Sequence, residues 1–252
     1  MVTGGGALML VTPMYNYFGY LFDGGNWNLG PDGLLTRLLQ HVEYTLVALV
    51  IAAAIALPVG LFIGHTNRGA ILAINIGNAG RSLPTFGLLT LMVTLVGTGV
   101  VPVYVALVVL AIPPILAATY SGIRSVDRSA VDAAIGMGMR PRQVLFQAEV
   151  PMAMPLIASG LRSALLQVCA TATVAAYVGL GGLGRLLVDG LSVNEYDQVF
   201  AGAVLVAILA VALDLLSAAG ERAIVSPGVR ARRGTRSTSR SRTSTPQTAG
   251  AS

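Results

Sequence analysis

The sequence contains no lysine, a single cysteine and only two histidines among its 252 residues. A Walker-type phosphate-binding loop needs a lysine to contact the nucleotide phosphates, so none is present. The lone Cys169 excludes an intramolecular disulfide framework and a cysteine-rich metal cluster. His41 and His65 lie near opposite ends of one apolar segment, too far apart to share a metal ion or a proton. Since no Ser/His/Asp arrangement is evident either, we predict that the chain is not an enzyme and holds no cofactor of its own.

Charged residues are also scarce. They make up 11% of the chain against 54% apolar residues, and the mean hydropathy is +0.74, outside the range of ordinary soluble domains. A hydrocarbon core of about 30 Å requires roughly 20 helical residues. Four apolar segments meet that length with at most one charge each: 42–63, 100–123, 152–178 and 199–219. They predict transmembrane helices.

The segment 70–97 is harder to interpret. As one straight helix it would be about 42 Å long at 1.5 Å per residue, yet each half would be too short to cross alone. Pro84 removes a backbone donor and disfavours helix at Leu83, so we predict one span kinked at this point. The sequence therefore predicts an all-α membrane protein with about five transmembrane helices in residues 41–220.

Arginine placement predicts the orientation. With five spans, one side holds Arg68, four arginines between 124 and 142, and seven from Arg222 onward, whereas the other side holds Arg37 and Arg185. The positive-inside rule then puts the amino end outside and the carboxyl end inside. We expect residues 1–40 to be external or interfacial. The Arg-, Ser- and Thr-rich tail, 221–252, should be cytoplasmic, disordered and in contact with lipid headgroups rather than nucleic acid.

A polar stretch, 124–151, separates the third and fourth of the five predicted spans, 100–123 and 152–178. Its spacing predicts a short helix over 130–135, a reversal at Gly136 and Gly138, and a second helix that Pro141 begins and Pro151 ends. Such a helix–turn–helix on the cytoplasmic side would offer a rigid docking surface to a soluble partner.

This stretch resembles the EAA loop of binding-protein-dependent ABC importer permeases. The matching positions are Asp132, Ala133, Ala134, Gly138 and Pro151. Asp132 stands where the family usually has glutamate, and Ala148 where it has a larger aliphatic residue. The resemblance implies a type I importer permease in a bacterial cytoplasmic membrane, in which the loop couples the chain to an ATPase. It further implies a cytoplasmic ATPase dimer carrying ATP–Mg²⁺, an external substrate-binding protein and a second permease, identical or related.

Further motifs resemble the permeases that import glycine betaine, carnitine or choline. They are ATATVAAYVG over 170–179, GGLGR over 181–185, and Tyr196-Asp197-Gln198. The glycine-rich part, GLGGLG over 179–184, contains pieces of a dinucleotide fingerprint, but it follows a membrane helix rather than a strand, which argues against a nucleotide site. Methionine importer permeases carry a similar glycine loop, so methionine or another amino acid is the alternative solute. A channel or secondary transporter would leave the 124–151 motif unexplained.

Polar side chains recur every four residues along the fourth predicted span, 152–178. Ser159, Ser163, Gln167 and Thr171 therefore form one stripe on a helix. They are candidates for lining the pathway of a small zwitterion, with packing against neighbouring helices as the equally favoured alternative. Tyr177 is a further candidate, because recognition of a quaternary ammonium uses aromatic faces. Arg162 and Asp214 are costly in lipid, and we predict a structural ion pair such as Arg81 with Asp214.

Overall fold

The computed structural model describes residues 17–69, 71, 75–76 and 84–224, and these ranges contain helices and loops but no β-strand. The α-helices are α1 (Gly19–Phe22), α2 (Leu34–Thr66), α3 (Thr85–Val96), α4 (Val100–Arg124), α5 (Arg128–Gly136), α6 (Pro141–Gln143), α7 (Val150–Thr171), α8 (Gly184–Val193) and α9 (Tyr196–Ile224). A π-helix over Val144–Glu149 joins α6 to α7, and 3₁₀ segments occupy Gly24–Asn26 and Ala172–Val178.

Four helical segments in the described ranges are long and apolar enough to cross a membrane. They are Leu34–Thr66, Val100–Arg124, Pro141–Val178 and Tyr196–Arg222. Each contains one of the four segments predicted from hydropathy. The fifth predicted span, 70–97, lies partly outside the described residues. The described part of that segment is α3, for which Pro84 is the N-cap residue. A helix start after Pro84 agrees with the predicted break, and the count of five spans stays a prediction.

Small residues let the three central helices approach closely. α4 packs against both α2 and α7, and the shared core contains mainly alanine, valine and leucine. A side chain at Gly60 would approach Thr119 to 2.8 Å, and one at Gly160 would overlap Ala118. Because lipid offers little hydrophobic drive for helix association, such close backbone packing supplies much of the attraction. The fold of the bundle therefore depends on these glycines.

The GLGGLG segment packs on the outer part of α2. The backbone N–H of Gly182 donates to the side-chain carbonyl of Gln40 at 2.9 Å. His41 is buried, and its Nε2 lies 2.9 Å from the carbonyl oxygen of Cys169 on α7. A side chain at Gly184 would overlap the carbonyl of Thr173. The glycines thus serve a close contact between helices, in agreement with the argument against a nucleotide site.

The residues before α2 lie against the beginning of α9. Phe18 packs edge-on against Phe200 with ring centroids 5.1 Å apart, and the indole of Trp27 donates to the carbonyl of Leu21. Burial, followed by the charges of Glu195 and Asp197, raises the pKa of the Tyr20 phenol. The first four residues of the predicted disordered tail, 221–252, are the helical end of α9, which corrects the prediction there, and the rest of the tail lies outside the described residues.

The predicted orientation can be tested by cysteine labelling. In a Cys169→Ala background, Ser192→Cys at the end of α8 should react with an impermeant thiol reagent in intact cells. Thr66→Cys at the end of α2 should react only after permeabilisation, because α2 brings it to the opposite side. Both positions are exposed. Labelling of Thr66→Cys but not Ser192→Cys in intact cells would show that the orientation is inverted.

Candidate coupling and translocation site

The helix–turn–helix predicted from the polar stretch is present and closely defined. The carboxylate of Asp127 caps α5 by accepting the backbone N–H of Ser129 at 3.0 Å. At the other end, Gly138 has φ of +84° and donates its N–H to Ile135, while the N–H of Met139 reaches the carbonyl of Ala134. These two bonds form a Schellman motif, which needs a left-handed residue at the position of Gly138. The predicted glycine reversal is therefore confirmed, with α5 extending over Arg128–Gly136.

The second half of the prediction is wrong in one respect, because Pro151 does not end the second helix. The chain continues from α6 through the π-helix into α7, so the second half of the coupling segment, as the polar stretch 124–151 is called hereafter, forms one helical rod with the fourth predicted span. In the π-helix, Val150 donates its N–H to Leu145, five residues back. Pro151 falls in the first turn of α7. The wider π turn accommodates a residue that lacks an N–H and crowds the preceding turn.

The coupling segment has one buried and one exposed face. Val131, Ala134 and Val144 are buried in a cluster with residues from the ends of α4 and α7. Asp132 and Ala133 lie exposed on the other side, as do three large apolar side chains: Ile135, Met137 and Phe146. The segment is thus fixed to the bundle on one side. On the other it presents an apolar surface, a feature that often marks a protein contact.

The polar stripe on α7 faces away from the chain's own core. Ser159 and Ser163 are exposed, and Gln167 and Thr171 are partly buried. Ala164 and Val168, each about 100° round the helix from the stripe residue before it, are fully buried. Within the described residues, Ser159 and Ser163 are therefore not buried against other helices. The remaining possibilities for these two serines are a pathway lining and packing against a second subunit.

The stripe leads toward an exposed aromatic pair. Tyr177, in the 3₁₀ segment after α7, lies edge-on to Phe86 on α3, with ring centroids 5.4 Å apart. Both side chains are more than half exposed. Between the two aromatic residues and the stripe, Thr171 and Thr85 line a small groove with apolar side chains of α3 and α4. Thr171 and Tyr177 thus both lie next to the beginning of α3.

Asp214 has a different partner from the one predicted. The guanidinium of Arg162 on α7 donates from Nε to Oδ1 and from Nη2 to Oδ2 of Asp214 on α9, both at 2.6 Å. The predicted partner, Arg81, lies outside the described residues. Two parallel hydrogen bonds satisfy both charges where lipid would leave them unpaired. The prediction of a structural pair holds, and its arginine is Arg162.

Sequence reasoning missed a second pair between distant segments. His65 Nδ1 lies 2.6 Å from Glu149 Oε2, which joins the end of α2 to the π-helix. One signal was available in the sequence: a glutamate two residues before Pro151, amid apolar side chains, needs a partner. No signal in the sequence indicated His65 as that partner, because 84 residues separate it from Glu149.

Residues 32–230 match the family described as the binding-protein-dependent transport system inner membrane component. The chain belongs to this family. It is therefore a permease subunit of an ABC importer, a multi-pass protein of the cytoplasmic membrane, as the coupling motif predicted. This membership decides against a channel or a secondary transporter.

Curated bacterial relatives cover most of the permease. It is 34% identical to the choline transport system permease protein OpuBB of Bacillus subtilis over 196 residues, which is 78% of this chain and 90% of the relative. Identity is 33% to the glycine betaine/carnitine/choline permease protein OpuCB of the same organism, over the same shares of both chains. It is 32% to the carnitine permease OpuCB of Listeria monocytogenes, over 72% of this chain and 83% of the relative.

Solved structures share the fold of the permease. A chain of the MetNI methionine ABC transporter in an inward-facing conformation superposes with a TM-score of 0.67 at 23% identity, over 77% of this chain and 96% of that one. An amino acid ABC transporter crystallised with histidines gives a TM-score of 0.60 at 17% identity, over 88% and 99%. The predicted type I importer permease fold is confirmed.

The exposed position of Ser163 allows a direct test of the stripe. Ser163→Phe places a large ring outside the chain's own core, so the permease should still fold and assemble with its partners. If the stripe lines the pathway, the ring should obstruct it and reduce uptake by at least about tenfold, equivalent to about 1.4 kcal/mol. Assembled complex, ATP hydrolysis and uptake should be measured on the same preparation.

Ala164→Phe is the matched control, since Ala164, the next residue along α7, is fully buried in the core. Overfilling that contact should lower the amount of assembled protein, by a cost of roughly 1–3 kcal/mol. If Ser163→Phe behaves like Ala164→Phe, the stripe serves packing against a second subunit. Unimpaired uptake would show that Ser163 neither lines the pathway nor packs against a second subunit.

Proposed function

We propose that this permease forms the translocation pathway of an ATP-driven importer for a quaternary-amine osmoprotectant such as glycine betaine, carnitine or choline. The observation that carries the proposal is the agreement of the curated relatives, whose names specify choline, carnitine and glycine betaine at 32–34% identity over most of the chain. Methionine, the alternative solute, is supported by the MetNI structure, but at 23% identity that likeness concerns the fold.

The partners follow from the same family. Two cytoplasmic ATPase subunits would bind ATP–Mg²⁺, and each would hold the coupling segment of one permease. This chain would pair with a second permease that is identical or related. An external binding protein would deliver the solute. The exposed apolar residues Met137 and Phe146, with Asp132 beside them, give the ATPase a surface that combines apolar area with one charge. Asp132, Ala133, Ala134, Gly138 and Pro151 would shape this coupling element.

Movement of the coupling segment would reach the pathway through α7. The second half of the segment, from Pro141 onward, is continuous with α7, and the buried face of the segment is packed on the bundle. The stripe of Ser159, Ser163, Gln167 and Thr171 would then line the route at the seam between two permeases, since five helices are too few to enclose a gated path. Hydroxyl and amide groups suit the carboxylate or hydroxyl of the solute. The faces of Tyr177 and Phe86 would attract its cationic end.

Uptake by the reconstituted complex tests the solute. Proteoliposomes containing this permease, its ATPase and its binding protein should accumulate labelled glycine betaine, carnitine or choline in the presence of ATP–Mg²⁺, and should not accumulate labelled methionine. The matched control replaces ATP with a non-hydrolysable analogue. Accumulation of methionine alone would overturn the solute assignment and leave the ABC importer role intact.

Substitution of the turn glycine tests the coupling role. Gly138→Val should leave insertion intact but reduce uptake and binding-protein-stimulated ATP hydrolysis, because a β-branched residue is strained at φ of +84°. A residue with a Cβ in the left-handed region costs on the order of 1–2 kcal/mol, enough to shift the angle of the turn.

Gly136→Val is the matched control, two residues away. Gly136 ends α5 without a positive φ, and a Cβ there meets no atom within 4 Å. This variant should therefore retain both activities. Normal stimulated hydrolysis and normal uptake in Gly138→Val would rule out a coupling role that depends on the geometry of the turn.

A further inference from the structure

The contact between His65 and Glu149 joins two parts of the permease that the coupling motif does not connect. Glu149 is the last residue of the π-helix, and its side chain is 6% exposed. His65 lies in the last turn of α2, with a quarter of its side chain exposed, and its Nδ1 is 2.6 Å from the carboxylate. A carboxylate buried to this extent needs a hydrogen-bonding partner, and His65 supplies it.

The histidine lies on α2, which packs closely against α4. A Cβ at Gly64, the residue before His65, would lie 2.8 Å from Ile123 on α4, and one turn earlier Gly60 makes a similar approach to Thr119. The end of α2 can therefore shift relative to α4 very little without separating their backbones. His65 is a fixed point that moves with α2 and α4 together.

The glutamate, in contrast, stands on the irregular part of the rod. The π-helix lies between α6 and α7, and π turns are rare, frequent at functional sites and a common position for helix kinks. Pro151, two residues on, leaves one more carbonyl of this region without its usual backbone donor. The rod is thus easiest to bend where Glu149 lies, and His65 holds it there.

We propose that His65 and Glu149 act as a coupling strut: the pair makes α2 and α4 follow the displacement of the coupling segment, so that ATPase movement reaches the whole central bundle rather than α7 alone. Both are positioning residues and neither contacts the solute. The proposal rests on the proposed coupling to an ATPase, and it is independent of which solute is carried. Without the pair, the π-helix would flex and absorb part of each ATP-driven movement.

His65→Gln and Glu149→Gln test the strut, because each removes the contact between imidazole and carboxylate while keeping a polar side chain of similar size. In reconstituted complexes, both variants should retain binding-protein-stimulated ATP hydrolysis near the unmodified level. Uptake per ATP hydrolysed should fall by about tenfold, within the 5–150-fold range typical of coupling between sites. Uptake per ATP hydrolysed is measured on assembled complexes only, so a lower yield of complex does not alter this ratio.

The double variant, His65→Gln with Glu149→Gln, adds a second criterion. Two residues that act as one strut should lose no more together than either loses alone, whereas independent residues should show multiplied losses. Asp189→Asn is the control: it breaks the exposed pair between Arg185 and Asp189 on α8, at 2.8 Å, and should leave uptake per ATP unchanged.

An unchanged ratio in both single variants would overturn the proposal, as would multiplied losses in the double variant. A lower yield of complex with a normal ratio in what assembles would assign the pair to stability alone, which also overturns it. Absence of ATP-dependent uptake in the unmodified complex would instead contradict the proposed function, so the two failures are distinguishable.

Discussion

A chain in hydrocarbon must satisfy its backbone hydrogen bonds internally, and this constraint governs the described structure. Proline is the clearest case. Pro58 lies inside α2, Pro113 and Pro114 inside α4, and Pro155 inside α7, yet none of these helices ends there. In water each position would favour a helix end, because the alternative partner for the freed carbonyl is solvent. In a bilayer the neighbouring turns and helices must take that role, so the helix continues.

The same constraint explains where sequence reasoning succeeded and where it did not. Long apolar segments were predicted well, because length and composition alone fix a membrane helix. The reversal at Gly138 was predictable too, since a glycine after a short helix is a local signal. Pro151 was misread as a helix end, because the π-helix before it contacts a segment distant in sequence, through Glu149 and His65. Arg162 was missed as the partner of Asp214, because pairing between helices depends on their rotation, which a single sequence does not specify.

Charges in this bundle are held in pairs that join helices distant in sequence. Arg162 joins α7 to α9 through Asp214, and His65 joins α2 to the π-helix through Glu149. Apolar contacts in a membrane protein are replaceable by lipid, so they specify helix neighbours only weakly. A paired charge has no equivalent alternative in lipid, and each pair therefore fixes one specific arrangement. Small residues allow the helices to approach closely, and the side-chain pairs determine which helices lie next to each other.

The continuity of the rod from Pro141 to Val178 gives it the properties of a lever. The bond between Arg162 and Asp214 lies 21 residues from one end and 16 from the other. At 1.5 Å per residue the two arms are roughly 32 and 24 Å long. If the rod turns about that bond, its ends move in opposite directions, and Tyr177 travels about three quarters as far as the coupling segment. A single rotation would then close one side of the bundle as it opens the other.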